Sequence, residues 1–300
     1  SAAADANAVV VGAEPYNRRV INSLKSLCLI STPKTGYDNI DVAAATEAGV
    51  CVSCVAGVSA EEVSDHAMAL ILACARKLFR LDKAVREGKW ESYEKREIRF
   101  KILPPMFPLK GQTLGLIGFG RIAQKIVPKA KGFEMRVIAF DPYIPSGVFD
   151  QFGVEAVELD YLIENSDFVS VHAAFTSDAR HMLGMEQFKK MKPTAYVINC
   201  ARGEFIDEAA LYQALSEGEI SGAALDVVQG ESMPPDHPLL KLDNVIITPH
   251  TAYYSEESAA RLRKRPYEEI ARMVNGEWPQ WLLNMEVKEK FQRRWGKQPK

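Results

Sequence analysis

The sequence predicts an α/β chain built of two doubly wound parallel-sheet domains. Short apolar runs alternate with helical patterns along nearly the whole chain, which is how a parallel sheet flanked by helices is written. A glycine-rich turn, Gly118–Ala123, joins an apolar run to a helical pattern deep in the chain. At 300 residues there is length for two domains, so a substantial unit is built before that turn.

In order, Ala8–Val11 reads as a strand, Asn17–Leu27 as a helix and Cys28–Ser31 as a strand. Ile40–Ala48 follows as a helix and Val50–Val55 as a strand. Ser59 with Glu62 three residues on is a capping box. It opens a long helix that carries Met68, Leu70, Ile71, Leu72 and Cys74. The centre of that helix, Ala67–Ala75, is apolar nearly all round, so burial between domains or subunits is expected, and with it a homodimer. Charged residues dominate Arg76–Lys101, and the prolines of Leu103–Pro108 suit a stiff crossing between domains.

Leu114–Ile117 then reads as a buried strand, and Gly118-Phe119-Gly120-Arg121-Ile122-Ala123 fits the G-x-G-x-x-G/A turn that opens a helix. Gly118 permits the tight turn, Gly120 lets a pyrophosphate approach the backbone, and Ala123 lets helix and strand pack closely. The helix start at Arg121 and Ile122 offers free N–H groups and a partial positive charge to phosphates. A second strand, Met135–Phe140, ends in Asp141. A carboxylate there takes the ribose 2′-OH and repels a 2′-phosphate, so NAD is the expected cofactor rather than NADP.

After Asp141 the alternation resumes. Helices are expected at Asp160–Glu164, Met185–Met191 and Asp207–Ser216, and strands at Phe168–His172, Tyr196–Asn199, Gly222–Val227 and Asn244–Thr248. The strand ends carry His172, Asn199 to Arg202, Asp226 and His250 in turn. Ligands of open parallel sheets bind outside the carboxyl ends of the strands, so four polar ends in succession describe a lined cleft.

Composition excludes several classes. Thirty-seven basic residues against thirty-nine acidic ones leave a net charge of −2, with no footprint for nucleic acid or an anionic membrane. The longest apolar run is too short to span a bilayer. The opening residues show no charged-then-apolar leader, and five cysteines in apolar surroundings suit a reducing compartment, so a cytoplasmic location is expected. Cys51 and Cys54 form a C-x-x-C inside a strand with no second ligand pair nearby, so neither a metal nor a redox site is expected.

The downstream motifs resemble those of the D-isomer-specific 2-hydroxyacid dehydrogenases. Asn199-Cys200-Ala201-Arg202-Gly203 followed by Ile206–Leu211 is similar to that family's arginine signature. Ala224–Val227 leading to Glu231 is similar to its glutamate segment, and Asp236–Leu239 with Thr248-Pro249-His250 to its histidine segment. Pro234–Pro238 and Tyr253–Glu257 resemble the C-terminal-binding-protein branch more narrowly. The likeness runs from about residue 8 past residue 280. It implies a Rossmann-type cofactor domain, 104–252, inserted in a flavodoxin-like substrate domain formed by 1–103 plus 253–300.

The same resemblance implies an NAD(H)-dependent enzyme interconverting a 2-oxo acid and a D-2-hydroxy acid, or else an NAD(H)-sensing corepressor-like module. Hydride transfer to a small anionic 2-oxo acid needs a cation for the carboxylate and a proton donor for the carbonyl oxygen. Arg202 offers paired donors to a carboxylate. His250 is the acid–base group, and Glu231 holds its other ring nitrogen. Asp226, Cys200 and Ala201 are expected on the nicotinamide side, as their family counterparts are. His66 and His237 are read as structural, His181 as a surface residue and His172 as undecided.

Two features depart from the family. Where it has a Gly-x-Gly that binds the substrate carboxylate, this chain has Lys34-Thr35-Gly36, and Thr32 stands where some relatives carry a basic residue. Lys34 either adds charge to the substrate site with Thr35, Gly36 and Tyr253, or points to solvent. Tyr253 also stands where the corepressor branch places tryptophan beside the histidine. Finally, the family places a strand and helix before the segment matching Ala8–Val11, and either a naturally shorter substrate domain or leading residues missing from this sequence fits that difference.

Overall fold

The computed structural model describes residues 4–90, 98–296 and 299. The chain divides into two compact units, residues 1–59 with 254–300 and residues 60–253.

The first unit holds a parallel sheet of β1 (Ala8–Val10), β2 (Leu29–Ser31) and β3 (Cys51–Ser53), with Leu29 opposite both Ala8 and Cys51. Its strands follow chain order, so the described strands do not include the order reversal of a flavodoxin-like sheet. Helix α1 (Arg18–Ser23) is capped by Asn17, and α2 (Val42–Glu47) by Asp41, each side chain accepting a first-turn N–H. Cys51 and Cys54 are buried free thiols, and burial pushes Cys51 up to about 12.

The second unit begins with α3 (Ala60–Ala75) and α4 (Leu78–Arg86). Its parallel sheet contains β4 (Thr113–Ile117), β5 (Arg136–Phe140), β6 (Glu155–Ala156), β7 (Phe168–Val171), β8 (Tyr196–Asn199), β9 (Gly222–Leu225) and β10 (Val245–Ile247). The spatial order is β10-β9-β8-β7-β4-β5-β6. The chain therefore reverses direction across the sheet between β4 and β7, the switch point where doubly wound folds bind ligands. One face is covered by α3, α5 (Arg121–Gly132) and α6 (Ser146–Phe152), whose Met68, Ile71, Ile126 and Phe149 are buried together. The other carries α7 (Leu159–Asn165), α8 (Met185–Lys190) and α9 (Glu208–Glu217), with Leu162, Phe188 and Leu211 fully buried.

The chain then returns to the first unit as α10 (Glu256–Val274), capped by Ser255, and α11 (Val287–Trp295). Val287 and Phe291 of α11 pack with Leu29 and Cys51. Asn284 is buried, accepts from Val52 N at 2.9 Å and donates to Val50 O and Thr46 Oγ1.

Two expectations differ from the structure. The division at the N-terminal side falls at 59/60 rather than 103/104, because α3 packs along α5 and against β8 and β9. Pro104–Pro108 consequently lies inside the second unit. The apolar centre of α3 is also covered within that unit, Ala67 and Ile71 being fully buried. Exposed apolar groups lie further on, at Leu78, Phe79, Val85, Phe100 and Phe107.

Candidate functional site

The glycine turn leaves β4 at the switch point. Gly118 has φ +88, and a Cβ there would stand 2.5 Å from the N and Cα of Ala173, so only glycine fits. Gly120 caps α5, and a Cβ on it would meet nothing within 4 Å. That open space before a helix N-terminus is the room a pyrophosphate requires. Phe119 between them is fully buried and stacks on Phe149 at 4.5 Å. Ile122 packs on the same core, and Arg121 is exposed in the first turn of α5. At the end of β5, Asp141 accepts from Phe119 N at 2.8 Å through Oδ2 and from Tyr143 N at 3.0 Å through Oδ1. The turn thus fits a dinucleotide, with Asp141 tied to the glycine loop.

Beyond β9 and β10 the second unit carries a histidine–carboxylate pair. His250 Nδ1 lies 2.5 Å from Glu231 Oε2, with both side chains about half exposed. Both residues hold left-handed backbone, φ 51 at His250 and φ 58 at Glu231, a strained setting for residues with a Cβ. Tyr253 stands edge-on to the His250 ring, centroids 6.3 Å apart.

Asp226 has a further task that its sequence context does not announce. Its carboxylate is 1% exposed and accepts from Thr248 Oγ1 (2.6 Å), Thr251 N (3.0 Å) and Ala252 N (2.9 Å). His250 N donates to its carbonyl at 2.7 Å. The acid therefore fastens the whole 248–252 loop. His66 of α3 reaches the same cluster, 3.0 Å from Thr248 Oγ1 and 3.5 Å from Asp226 Oδ1.

Arg202 follows β8 in a loop knitted by Asn199, whose amide accepts from Ala201 N and donates to Arg202 O. The guanidinium donates to Ala201 O at 2.8 Å. Cys200 beside it is half-buried as a residue; burial, then the Asp226 carboxylate, pushes its thiol pKa up, so it stays protonated. Next to Arg202, a Cβ on Gly203 would lie 2.0 Å from the carbonyl carbon of Val228. The arginine loop and the loop carrying Glu231 thus meet backbone to backbone.

The remaining residues separate clearly. Lys34 and Thr35 are exposed and Gly36 half-buried, all in the first unit after β2, where Lys34 O accepts from Val55 N. His172 at the end of β7 is buried against Ser170 Oγ at 2.7 Å, and burial drives it down to about 3; it is a neutral structural residue. His181 is exposed, and His237 caps the turn 238–241 while lying 3.5 Å from Glu208. The sequence assigns no role to Glu208 in the arginine signature and sets Gln229 aside as a poorer match than Glu231, yet the two are in contact. Glu208 Oε1 accepts from Gln229 N at 2.6 Å, and the Gln229 amide donates to Ile206 O at 2.7 Å. Among the described residues, no group of three or more His, Cys, Asp or Glu gathers as a metal site, and no helix is long and apolar enough to cross a membrane.

The sequence profile of the D-isomer specific 2-hydroxyacid dehydrogenase NAD binding domain matches residues 68–252. A glyoxylate reductase of Korarchaeum cryptofilum is 40% identical over 274 residues, covering 91% of this chain and 81% of that protein. A D-3-phosphoglycerate dehydrogenase of Methanocaldococcus jannaschii is 41% identical over 94% of this chain, which spans only 52% of that longer protein. The crystal structure of a D-lactate dehydrogenase from Aquifex aeolicus, complexed with NAD and lactic acid, superposes with a TM-score of 0.81 at 30% identity, covering 92% of this chain and 85% of that one. These relatives are enzymes. They lend no support to the corepressor-like alternative, nor single out the C-terminal-binding-protein branch. With an NAD-binding turn at the switch point of its sheet and a family match over most of its length, the chain belongs to the D-isomer-specific 2-hydroxyacid dehydrogenases, NAD-dependent oxidoreductases that interconvert 2-oxo and D-2-hydroxy acids.

Proposed function

We propose that this enzyme reduces a short 2-oxo acid of the glyoxylate or hydroxypyruvate class, preferring NADH to NADPH. The observation that carries the reading is the 2.5 Å contact between His250 and Glu231. A carboxylate on Nδ1 leaves Nε2 to face substrate and stabilises the imidazolium that donates the proton. Bound NADH supplies the hydride. Arg202 binds the substrate carboxylate and orients the carbonyl, and His250 gives its proton to the carbonyl oxygen as charge develops there. Glu231 holds the ring throughout. In the reverse direction His250 takes the hydroxyl proton. Cys200, Ala201 and Asp226 would border the nicotinamide, and Tyr253, edge-on to His250, would stand on the substrate side. Preference for a short substrate is supported by the 40%-identical glyoxylate reductase and by a hydroxypyruvate reductase of Thermotoga maritima at the same identity. The NADH preference rests on Asp141.

Residues 60–253 would divide from the rest at 59/60 and 253/254 as a cofactor domain, with the substrate domain formed by the two flanking segments. A homodimer is supported by the exposed Leu78, Phe79, Phe100 and Phe107, and a cytoplasmic location by the free cysteines. The test is a panel of glyoxylate, hydroxypyruvate and pyruvate with NADH or NADPH, followed by cofactor oxidation. Oxidation of neither cofactor with any of them rejects the proposal. Light scattering of the unmodified protein and of Phe79→Glu tests the dimer, which a monomeric mass of the former refutes.

A further inference from the structure

Glu231 lies in a turn that does not hold itself. Gly230 and Glu231 are consecutive left-handed residues, φ 70 and φ 58. The turn's own hydrogen bond, Glu231 N to Val228 O, is 3.1 Å long, and the Glu231 side chain is about half exposed. Packing does not fix this carboxylate. What fastens the turn is its neighbour Gln229, and it does so twice.

The Gln229 backbone N–H donates to Glu208 Oε1 at 2.6 Å, a charge-assisted bond. The Gln229 side-chain amide donates to Ile206 O at 2.7 Å and lies 3.1 Å from His181 Nε2. Glu208 opens α9, where the N-cap Asp207 accepts from Ala209 N and Ala210 N. Its side chain is only 17% exposed, and its second oxygen stands 3.5 Å from His237 Nε2. On the other side, Gly203 abuts the backbone of Val228 and Gln229. The glutamate turn is thereby clamped to the segment 203–208, which directly follows Arg202.

We propose that Glu208 and Gln229 are positioning residues for catalysis: through the backbone and side chain of Gln229 they hold Glu231 in the left-handed turn that presents its carboxylate to His250. Neither touches the reacting groups. The inference rests on the reading of His250 and Glu231 as the acid–base pair. When the clamp is removed, the strained turn relaxes and the carboxylate leaves Nδ1, so proton donation suffers while the Arg202 contact to substrate persists.

The test is steady-state reduction of whichever of glyoxylate, hydroxypyruvate and pyruvate the unmodified protein turns over fastest with NADH. Glu208→Ala lowers kcat roughly ten- to a hundredfold, with the substrate KM held within about twofold. Glu208→Gln, which keeps an acceptor for Gln229 N, recovers most of that loss. Gln229→Ala removes only the amide contacts and lowers kcat less; its partial exposure makes it the second variant should Glu208→Ala fail to fold. The decisive readout is a double-mutant cycle. In a Glu231→Gln background neither variant lowers kcat further, since they act through the carboxylate already lost. Equal losses in both backgrounds, or a raised KM at unchanged kcat, overturn the inference and leave the acid–base pair standing. An unmodified rate in Glu231→Gln overturns the pair itself and the inference with it.

Discussion

Asp141 and Phe119 are joined by a 2.8 Å hydrogen bond from the Phe119 amide to the Asp141 carboxylate. The residue we propose to read the ribose is also the one that ties the glycine loop to the end of β5. Discrimination between cofactors and the shape of the phosphate turn are therefore not independent, and substitution at Asp141 has two separable effects.

Asp141→Ser is expected to raise the efficiency of NADPH relative to NADH by removing the repulsion of a 2′-phosphate. It should also lower stability by about 1 kcal/mol through the lost amide contact. Asp141→Asn keeps an acceptor for Phe119 N, so it should shift the preference with a smaller change in melting temperature. Ratios of kcat/KM for the two cofactors, with thermal melts alongside, separate the effects. An unchanged cofactor ratio in both variants refutes the assignment.

Gly118 and Gly120 should answer alanine differently. Gly118→Ala drives a Cβ to 2.5 Å from the Ala173 backbone at a positive φ, and a loss of at least about 2 kcal/mol is expected. Gly120→Ala meets no protein atom within 4 Å, so the fold should survive while NADH binding weakens. Urea unfolding paired with NADH fluorescence titration tests the contrast, and equal destabilisation by both variants counts against it.

His250→Gln should slow turnover of the oxo acid by about 10²–10⁴-fold, the range of a lost general acid. Arg202→Ala should raise KM as well as lower kcat, because binding and orientation go together. Full turnover in His250→Gln would remove the histidine from the mechanism.

His172 makes the protein acid-labile in a defined window. Burial holds it near 3 in the folded state, against about 6.5 for an unfolded histidine. Above pH 6.5 it is neutral in both states and carries no pH dependence. Below that the unfolded chain binds the proton and the folded one does not, so stability falls by roughly 1.4 kcal/mol per pH unit until about pH 3. His172→Gln lacks this slope. Its stability deficit relative to the unmodified protein at pH 7 should shrink by pH 4.5 in urea titrations, and a constant deficit would show that His172 does not carry the proton difference.

Much of this was legible in the sequence because it is written locally. The G-x-G turn, the strand ending in Asp141 and the segments bearing Arg202, Glu231 and His250 each lie within a few neighbouring residues. What escaped depends on contacts between distant segments. The apolar Ala67–Ala75 stretch signals burial, but nothing in it says whether α5 or another subunit provides the cover. The task of Asp226 rests on backbone amides at 251 and 252, which no side-chain pattern encodes. Glu208 reads as an ordinary first-turn helix acid, and its partner is an amide 21 residues away.

The bonds of Asn284 to residues 46, 50 and 52 bear on the order of assembly. They span more than 230 positions of chain, with the whole second unit made in between. During synthesis, β1, β2 and β3 emerge before the second unit yet lack α11, which packs with Leu29 and Cys51. The intervening unit holds its complete sheet and can condense while those strands wait. Such closures are slow because the loop entropy is lost before the contact forms. The strands made before the second unit are thus completed only after it, and Leu29 and Cys51 are the apolar groups that a chaperone would shield in the meantime.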